Sequence, residues 1–247
     1  MVRNTNRKSN MHIEITVVIL CYRTGKRINS FVSKIRNILD SNVSDWEIVL
    51  VGNYDEGSPE ETPAIVNEIA ANDPRIHAIT LPKKGMMGWD ARVGMDRAKG
   101  KYICIIDGDE QISAEDIIRV YQKICTDNLD FVLTYRWKRH DGLFRIMNSK
   151  IYNMFAKMLF PIVKVKDINA KPKIFKKTVY EKLHLSSDDW FIDAEIVIKS
   201  SKLGLKIGQV PTEFKENKYR RSFIKLNTVI EFIKNLIMVR FKEYRKW

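Results

Sequence analysis

The feature that most constrains the fold of this chain is the regular alternation of short apolar runs with segments of helical spacing in its first half. The predicted strands are 13–22, 46–51, 75–81 and 101–106, and the predicted helices are 26–41, 59–72, 87–100 and 113–126. The runs are rich in β-branched residues, as buried strands are, and we expect Ser113 to be the N-cap of the last helix. Repeated βα units of this kind predict an α/β fold with a mostly parallel central sheet flanked by helices.

The fourth apolar run ends abruptly in a pair of carboxylates. The stretch "YICIIDGDEQ" (102–111) places Asp107 and Asp109 at the carboxyl end of a strand, which is the edge where parallel α/β sheets bind ligands. Two carboxylates so close together raise each other's pKa unless a cation neutralises them, and Mg²⁺ or Mn²⁺ with oxygen ligands would do so. Gln111 supplies a further oxygen. An ordinary polar turn is the alternative, because Asp-Gly is a common turn dipeptide, but the position at a strand end favours a site.

The net charge of +13 is unevenly distributed along the chain. Residues 12–130 carry 14 Lys and Arg against 19 Asp and Glu, whereas residues 131–182 carry 13 against 3, and residues 215–247 carry 10 against 3. This asymmetry indicates an anionic partner, which could be nucleic acid, a phosphorylated substrate or an anionic membrane surface. A generic solubilising surface is the alternative.

Several classes of protein are disfavoured by the sequence. No nucleic-acid-binding motif accompanies the basic charge, so we expect no nucleic acid partner. No leader sequence and no apolar run long enough to cross a membrane is recognised. The odd number of cysteines without metal-ligand spacing predicts reduced, buried thiols at Cys21, Cys104 and Cys125, and hence a cytoplasmic protein.

Four segments resemble family 2 glycosyltransferases of the GT-A fold, and within them most closely the dolichyl- or polyprenyl-phosphate mannose and glucose synthases. "ITVVILCYRTGKRI" (15–28) is similar to their first strand and the loop under the nucleotide, and "KKGMMGWDARVGMDRAKGKYICIIDGDEQ" (83–111) to their helix, strand and D-x-D-x-Q stretch. "VKDINAKPKIFKK" (165–177) and "WFIDAEIVIKSSKLGLKIGQVPTEF" (190–214) resemble two later segments, the second a helix with an acidic pair followed by a strand. The similarity covers residues 13 to about 224.

The resemblance implies a donor site for a nucleotide-diphospho-sugar, with GDP or UDP as the nucleotide. The metal ion, Mg²⁺ or Mn²⁺, would be held on the donor diphosphate by Asp107, Asp109 and Gln111, and Asp109 would also be catalytic. The sugar would be transferred with inversion at the anomeric carbon. Asp55 and Arg92 would contact the donor. The chain departs from the family after its second strand, where "VGNYDEGSPEET" (51–62) lacks the expected acidic pair, so that Asp55 or Glu56 would take this contact.

The resemblance also implies a phosphate acceptor carried by a polyprenyl lipid. Arg136, Arg139, Arg145 and Ser149 fall in the segment where the similar synthases bind the acceptor phosphate, and arginine suits bidentate recognition of phosphate. Solvated surface arginines are the alternative. The chain has Lys171-Pro172 where the lipid-phosphate synthases usually have Gly-Phe.

A hydroxyl acceptor would need a general base, whereas a phosphate monoester is mostly dianionic at neutral pH and would not. Asp193 and Glu195 are the candidates for such a base. Because residues two apart on a helix do not share a face, we expect one of them to face the site and the other to make a structural contact. Asp193 matches the family motif better. The runner-up function is therefore a family 2 glycosyltransferase acting on a glycan hydroxyl in surface polysaccharide or glycoconjugate assembly.

The predicted organisation has a flexible basic N-terminus (1–11), a GT-A domain (12–224) and a basic amphipathic C-terminal helix (225–247). The last segment combines an apolar face with a lysine-rich face, which is typical of helices that lie on an anionic membrane. The apolar stretch 154–163 could meet lipid as well. We therefore expect peripheral attachment to the cytoplasmic face of a membrane, with a helix packed on the catalytic domain or a dimer contact as the alternatives.

Overall fold

The structure, a computed structural model, describes residues 13–217 and 234–241 of the chain. The strands are β1 (Ile15–Leu20), β2 (Trp46–Val51), β3 (Ile76–Ile79), β4 (Tyr102–Asp107), β5 (Phe131–Arg139), β6 (Lys173–Lys176) and β7 (Ile207–Phe214). The helices are α1 (Arg27–Asn42), α2 (Thr62–Ala71), α3 (Met87–Arg97), α4 (Glu115–Thr126), α5 (Leu143–Leu159), α6 (Lys177–Leu183) and α7 (Ile192–Lys202). Residues 234–241 are also helical.

The described strands form one seven-stranded sheet in the order β3-β2-β1-β4-β6-β5-β7. All neighbours are parallel except β6, which runs antiparallel to both β4 and β5. The prediction of an α/β fold with a mostly parallel sheet is confirmed. Because β6 runs backwards, the residues that precede it lie at the edge where β4 ends, and this brings the segment before Lys173 beside the D-x-D loop (residues 107–111).

Two apolar layers cover the two faces of the sheet. Ile15, Val17 and Ile19 of β1 belong to the layer that holds α1, α2 and α4, whereas Val18 and Leu20 point into the layer that holds α3, α5, α6 and α7. All six residues of β1 are buried, as are all six of β2. Burial on both faces explains why these strands read as continuous apolar runs rather than as alternating ones.

Two of the helix ends that differ from the sequence-based expectation have a clear physical reason. The N-cap of α4 is Ala114, and the Ser113 side chain makes no capping hydrogen bond but contacts the Glu115 carboxylate instead. Helix α3 ends at Arg97 and does not reach Gly100. The reason for a glycine there is close packing, because a Cβ at Gly100 would lie 2.5 Å from the Thr16 amide nitrogen of β1.

The three cysteines do not share one environment. Cys21 and Cys104 are buried in the sheet, and burial raises the pKa of both thiols. Cys125 is exposed on α4, so the prediction of a buried thiol is wrong at this position. It occupies the solvent side of an amphipathic helix whose other face carries the core residues.

The predicted basic N-terminus (1–11) lies outside the described residues, as do 225–233 and 242–247 of the predicted C-terminal helix. In the part of that helix which is described, Leu236 is fully buried against the layer of α7, and Asn235 donates a hydrogen bond to Asp189 (2.7 Å). Ile237, Met238 and Phe241 are exposed. Within 13–217 and 234–241, no helix has the length and apolar character needed to cross a membrane.

Candidate active site

The D-x-D loop follows β4 at the carboxyl edge of the sheet, beside the end of β1, and leads into α4. Asp107 pairs in register with Leu20, and the Gly108 amide donates to the Leu20 carbonyl (2.9 Å). A Cβ on Gly108 would lie 3.0 Å from that carbonyl oxygen, so glycine allows the loop to pack directly on the end of β1. The left-handed residue of the turn is Glu110 (φ 57°), whose carboxylate accepts hydrogen bonds from Ser30 and Lys34 of α1. These contacts fix the loop from two sides.

The third residue of the predicted metal-binding set, Gln111, is buried and tied to the chain after β7. Its side-chain amide donates to the Lys215 carbonyl (2.9 Å), and the Lys215 amide donates to the Gln111 carbonyl (2.8 Å). The Gln111 amide in turn donates to an Asp109 carboxylate oxygen (3.3 Å). The two predicted carboxylates, Asp107 and Asp109, are half-buried at the edge of the sheet.

A buried cluster of two lysines and one carboxylate adjoins the D-x-D loop. Asp193, in the first turn of α7, accepts hydrogen bonds from Lys171 (Nζ to Oδ2, 2.9 Å) and Lys173 (Nζ to Oδ1, 2.6 Å). The Lys171 ammonium also lies 3.4 Å from Asp107 Oδ1. Lys171 therefore links the first aspartate of the D-x-D loop to the aspartate of α7.

Opposite charges in this cluster stabilise one another, although burial, together with the neighbouring Lys171 ammonium, lowers the pKa of Lys173. Burial alone would raise the pKa of Asp193, but Lys171 and Lys173 outweigh it and lower that pKa. Burial acts to lower the pKa of Lys171, but the carboxylates of Asp107 and Asp193 outweigh burial, and the pKa is raised. Asp193 is thus held as a carboxylate with both oxygens engaged, which makes it a weak acceptor for a further proton.

The two acidic residues of α7 face different groups, as their spacing predicts. Glu195 accepts hydrogen bonds from the amides of Ser186 and Ser187 (2.9–3.1 Å) and pairs with Lys199. It holds the loop before α7, whereas Asp193 points to the lysine pair. Glu195 therefore has a structural role.

The loops after β1 and β2 form the other side of this edge. Asp55 accepts hydrogen bonds from the Tyr22 hydroxyl (2.5 Å) and from Arg23 (3.2 Å), and its side chain is 45% exposed. Burial, followed by the Asp55 carboxylate, raises the pKa of Tyr22 to about 12. Glu56, the alternative donor contact, is exposed.

Asn53 lies in the loop that lacks the acidic pair expected from the resemblance, and it is buried. Its side-chain amide donates to Asp90 of α3 (2.8 Å), and its side-chain oxygen accepts from the Leu81 amide (2.8 Å). Asp90 also pairs with Lys83, although burial raises its pKa overall. Asn53 thus joins the ends of β2 and β3 to α3.

Arg92 of α3 contacts the loop that precedes α7. Its guanidinium donates to the Leu185 carbonyl (3.2 Å) and pairs with Asp188 (3.0 Å). Helix α3 packs very closely on this loop, since a Cβ on Gly88 would lie 2.4 Å from the Asp189 carbonyl oxygen. Arg92 thus contacts the loop before α7, whereas Asp90, two residues earlier on α3, contacts Asn53.

The three predicted acceptor-binding arginines converge on one aromatic ring. The guanidinium carbons of Arg136, Arg139 and Arg145 lie 5.2, 5.7 and 5.8 Å from the centroid of Phe214, at the end of β7. Cation–π attraction holds each arginine near the ring without using its N–H groups. We call these three arginines and Phe214 the arginine cluster.

Two buried carboxylates order the arginine cluster. Arg136 makes a bidentate pair with Asp167 (2.6 and 2.9 Å) and donates to Ser149 (3.2 Å), whereas Arg139 makes a bidentate pair with Asp141 (3.0 and 2.7 Å). The pKa of Asp167 is lowered to about 2, because Arg136 and Arg139 outweigh the opposite effect of burial.

Arg145 is held less tightly than the other two arginines. Its Nε lies 3.4 Å from Asp141, and its side chain is 27% exposed. Burial and the neighbouring Arg136 and Arg139 lower its pKa, while the carboxylates of Asp141 and Asp109 act in the opposite direction. Asp109 is the weakest of the charges that act on Arg145.

A cavity of about 450 Å³ opens beside the arginine cluster, between β5 and α5. It is lined by Tyr135, Arg136, Arg139, Ile146, Ser149, Lys150, Asn153, Met154, Lys157, Lys166 and Asp167. The lining includes five cationic side chains and one carboxylate, which favours an anionic occupant. Neither aspartate of the D-x-D pair lines it.

The sequence reasoning missed four side chains that shape this site. The sequence marks Lys171 only as a departure from the family and assigns no role to Asp167, Phe214 or Asn53. Asp167 and Lys171 lie in the segment 165–177 that resembles the family, and this resemblance is the signal that could have drawn attention to them, though not to their partners. For Phe214, we see no signal in the sequence.

The residues at the D-x-D loop fit a divalent cation. Asp107 and Asp109 are partly exposed carboxylates at a strand end, and such oxygen donors suit Mg²⁺ or Mn²⁺. Among the described residues, no three His, Cys, Asp or Glu side chains gather closely enough to hold a metal by themselves. A cation bound here would therefore take further ligands from Gln111, from a bound diphosphate or from water.

Comparison with solved structures identifies the fold as GT-A. The glucosyl-3-phosphoglycerate synthase from Mycobacterium tuberculosis, in complex with Mn²⁺, UDP and glucosyl-3-phosphoglycerate, superposes with a TM-score of 0.69 at 14% identity, over 92% of this chain and 80% of that one. S. aureus TarS (1-349) superposes with a TM-score of 0.56 at 17% identity, over 92% and 65%.

Three relatives share sequence with the chain. They are the glycosyltransferase GlyG of Streptococcus pneumoniae (30% identical; 53% of this chain and 42% of the relative), the dodecaprenyl-phosphate galacturonate synthase of Rhizobium johnstonii (25%; 78% and 57%) and the dolichyl-phosphate beta-glucosyltransferase ALG5A of Trichomonas vaginalis (22%; 92% and 73%). The chain thus spans about half the length of the first two. The family model for Glycosyl transferase family 2 matches residues 16–185, and the chain belongs to this family.

Proposed function

We propose that the protein is an inverting, metal-dependent glycosyltransferase that moves a sugar from a nucleotide-diphospho-sugar to a polyprenyl phosphate. The observation that carries the proposal is the engagement of Asp193 by two lysines, together with a cavity lined by five cationic side chains. A site with this arrangement suits an acceptor that needs cations rather than a base.

The donor would bind at the D-x-D loop. Asp107, Asp109 and Gln111 would hold the metal ion, which when bound would neutralise the charge that develops on the departing diphosphate. The Mn²⁺ and UDP in the structurally similar synthase support this assignment. Tyr22 and Asp55, at the ends of β1 and β2, would face the nucleoside. The bonds from Glu110 to α1 would keep the loop in place while the diphosphate leaves.

The state of Asp193 favours a phosphate acceptor over a hydroxyl. A general base must take a proton from the attacking hydroxyl, and it works best when its pKa lies near the operating pH. The pKa of Asp193 is lowered by Lys171 and Lys173, against the effect of burial, so its carboxylate is poorly suited to that role. A phosphate monoester, being mostly dianionic at neutral pH, attacks without such a base.

The acceptor phosphate would bind to the arginine cluster at the mouth of the cavity. Arg136 and Arg139 are pre-oriented by their bidentate pairs, and Arg145 is the most exposed of the three guanidinium groups. Ser149 supplies a hydroxyl 3.2 Å from Arg136. The names of two relatives, a dodecaprenyl-phosphate and a dolichyl-phosphate enzyme, support a lipid-linked phosphate as the acceptor.

Helix α5 would bring the cavity close to a lipid surface. Its exposed apolar side chains recur every three or four residues and are Leu143, Met147, Ile151, Met154 and Met158. Residues 142–166 contain five Lys and Arg and no Asp or Glu. An apolar stripe with only cationic neighbours is typical of helices that lie on anionic membranes. The predicted C-terminal helix (225–247) would add a second contact through its exposed Met238 and Phe241.

One observation favours the alternative, transfer to a glycan hydroxyl. Arg136 and Arg139 already have carboxylate partners, so part of their positive charge is balanced before any acceptor binds. In that case the cavity would hold a sugar through polar groups, and Asp193 would act as the base after losing a lysine contact.

The test supplies radiolabelled GDP- and UDP-sugars with polyprenyl phosphate and, separately, with polyprenyl alcohol or a glycan. We expect transfer to the phosphate alone, and we expect Asp193→Asn to lower turnover by less than the roughly 10²–10⁴-fold typical of a lost general base. Transfer to a glycan but not to the phosphate, together with an inactive Asp193→Asn variant, would establish the alternative.

A further inference from the structure

Lys171 places a permanent positive charge inside the D-x-D site. Its ammonium lies 3.4 Å from Oδ1 and 3.5 Å from Oδ2 of Asp107, and 2.9 Å from Oδ2 of Asp193. The side chain is only 3% exposed, so bulk water screens this charge poorly. The peptide chain reaches this position because β6 runs antiparallel to β4.

Lys171 is not needed merely to neutralise Asp193. Lys173 already does so, since its ammonium lies 2.6 Å from Asp193 Oδ1 and is fully buried. Asp107, by contrast, has a side chain that is 38% exposed and needs no buried counter-ion. The second lysine therefore adds a charge that the fold alone does not require.

The cluster is electrically balanced before a ligand binds. Two ammonium groups face two carboxylates, Asp107 and Asp193, so Asp107 offers a divalent cation much less attraction than an isolated carboxylate would. A nucleoside diphosphate brings several negative charges to the same edge of the sheet. It would restore the attraction for the cation and would itself be drawn to the Lys171 ammonium.

We propose that Lys171 is a positioning residue that makes metal binding depend on the donor diphosphate. Its ammonium disfavours Mg²⁺ or Mn²⁺ alone at Asp107 and favours the metal together with the diphosphate. The inference rests on the proposed function, in that it takes the D-x-D loop to be the donor site. A purely structural lysine would leave the metal affinity unchanged when its charge is removed.

The test measures Mn²⁺ binding by the loss of the free-ion paramagnetic resonance signal, first without nucleotide and then with saturating UDP or GDP. The variants are Lys171→Gln and Lys171→Met, and the control is Lys176→Gln, which removes a lysine paired with Asp130 away from the site. At a separation of about 5 Å, the repulsion between the doubly charged metal ion and the lysine ammonium would weaken metal binding by more than tenfold, even at the dielectric constant of water.

We therefore expect Lys171→Gln to bind Mn²⁺ alone about tenfold more tightly than the unchanged protein, and to bind the diphosphate in the presence of Mn²⁺ at least about threefold more weakly. Lys176→Gln should match the unchanged protein in both measurements. An unchanged or weaker affinity of folded Lys171→Gln or Lys171→Met for Mn²⁺ would overturn the proposal.

A measurement on the wild-type protein tests the proposal even if both variants fail to fold. The proposal requires Mn²⁺ to bind at least about tenfold more tightly with the diphosphate than without it, and equal affinities would refute it. Failure of the proposed function looks different, because then no nucleotide would bind with Mn²⁺ and no acceptor would receive sugar. If this inference alone fails, sugar transfer persists while the Mn²⁺ affinity of Lys171→Gln is unchanged.

Discussion

Replacing Asp167 by asparagine removes the negative charge opposite the Arg136 guanidinium while keeping an oxygen that can accept a hydrogen bond. In the folded protein the pKa of Asp167 is lowered from 3.8 to about 2, because Arg136 and Arg139 outweigh burial. At 1.36 kcal/mol per pH unit, this difference corresponds to about 2 kcal/mol of the free energy of unfolding. The side chain is only 10% exposed, so screening by solvent is small.

The sign of the pH dependence follows from the direction of this pKa change. A carboxyl group with a lowered pKa in the folded state stabilises the protein fully above about pH 4, and this stabilisation is lost as the pH falls towards 2. We expect Asp167→Asn to lower the free energy of unfolding by about 2 kcal/mol at pH 7 and by about half as much at pH 3.

Urea unfolding at the two pH values measures this difference. With a slope of roughly 2–3 kcal/mol per molar urea, the midpoint at pH 7 should fall by about 0.7–1 M. The control is Asp127→Asn, which removes an exposed carboxylate paired with Lys123 on α4 and should change the stability by less than about 0.5 kcal/mol. A loss of equal size at pH 7 and pH 3, or no loss beyond that of the control, would refute the electrostatic reasoning.

Three further predictions concern the proposed activity. Asp109→Ala should leave the melting temperature of the free protein nearly unchanged but abolish turnover and the metal-dependent thermal shift with nucleotide; near-normal activity would make the pair structural. Arg145→Ala should raise the acceptor KM by roughly tenfold or more, since a charge-assisted bond is worth about 1.5–3 kcal/mol, with the donor KM nearly constant; equal changes in both constants would contradict this. In the segment 225–247, the double variant Met238→Glu with Phe241→Glu keeps the buried Leu236 and should sediment less with anionic vesicles. Added salt should likewise reduce the sedimentation of the wild-type protein with these vesicles. If neither the substitutions nor the salt changes the sedimentation, the segment is not a membrane anchor.

The strands of the first half could be predicted because their sequence signal is local. β2 spans the predicted residues 46–51, since a strand buried on both faces must be apolar throughout. Helix ends were less predictable. The end of α3 depends on how closely Gly100 approaches β1, and the start of α4 depends on a turn in which Ser113 contacts Glu115. Both are decided by packing rather than by the residues within the helix.

The residues of the site, too, could be predicted only where their sequence signal is local. Asp107 and Asp109 are adjacent in sequence, so a single strand end sufficed to indicate them. The ion pair of Lys171 with Asp193 joins residues 22 apart, and that of Arg136 with Asp167 joins residues 31 apart. Lys171 and Asp167 lie in the segment between α5 and β6, whereas Asp193 lies on α7 and Arg136 on β5. Nothing in a single sequence indicates such partners, because their meeting depends on the antiparallel direction of β6 and on the length of β5.

The reciprocal bonds between Gln111 and Lys215 have a practical consequence for anyone who shortens or recombines this chain. The side chain and carbonyl of Gln111 are held by backbone groups 104 residues further on, just after β7. A shortened version that stops at Phe214 would keep all seven strands of the described sheet yet lose both bonds. The boundary of a transplantable catalytic module therefore lies beyond Lys215, even though the last strand of the sheet ends before it.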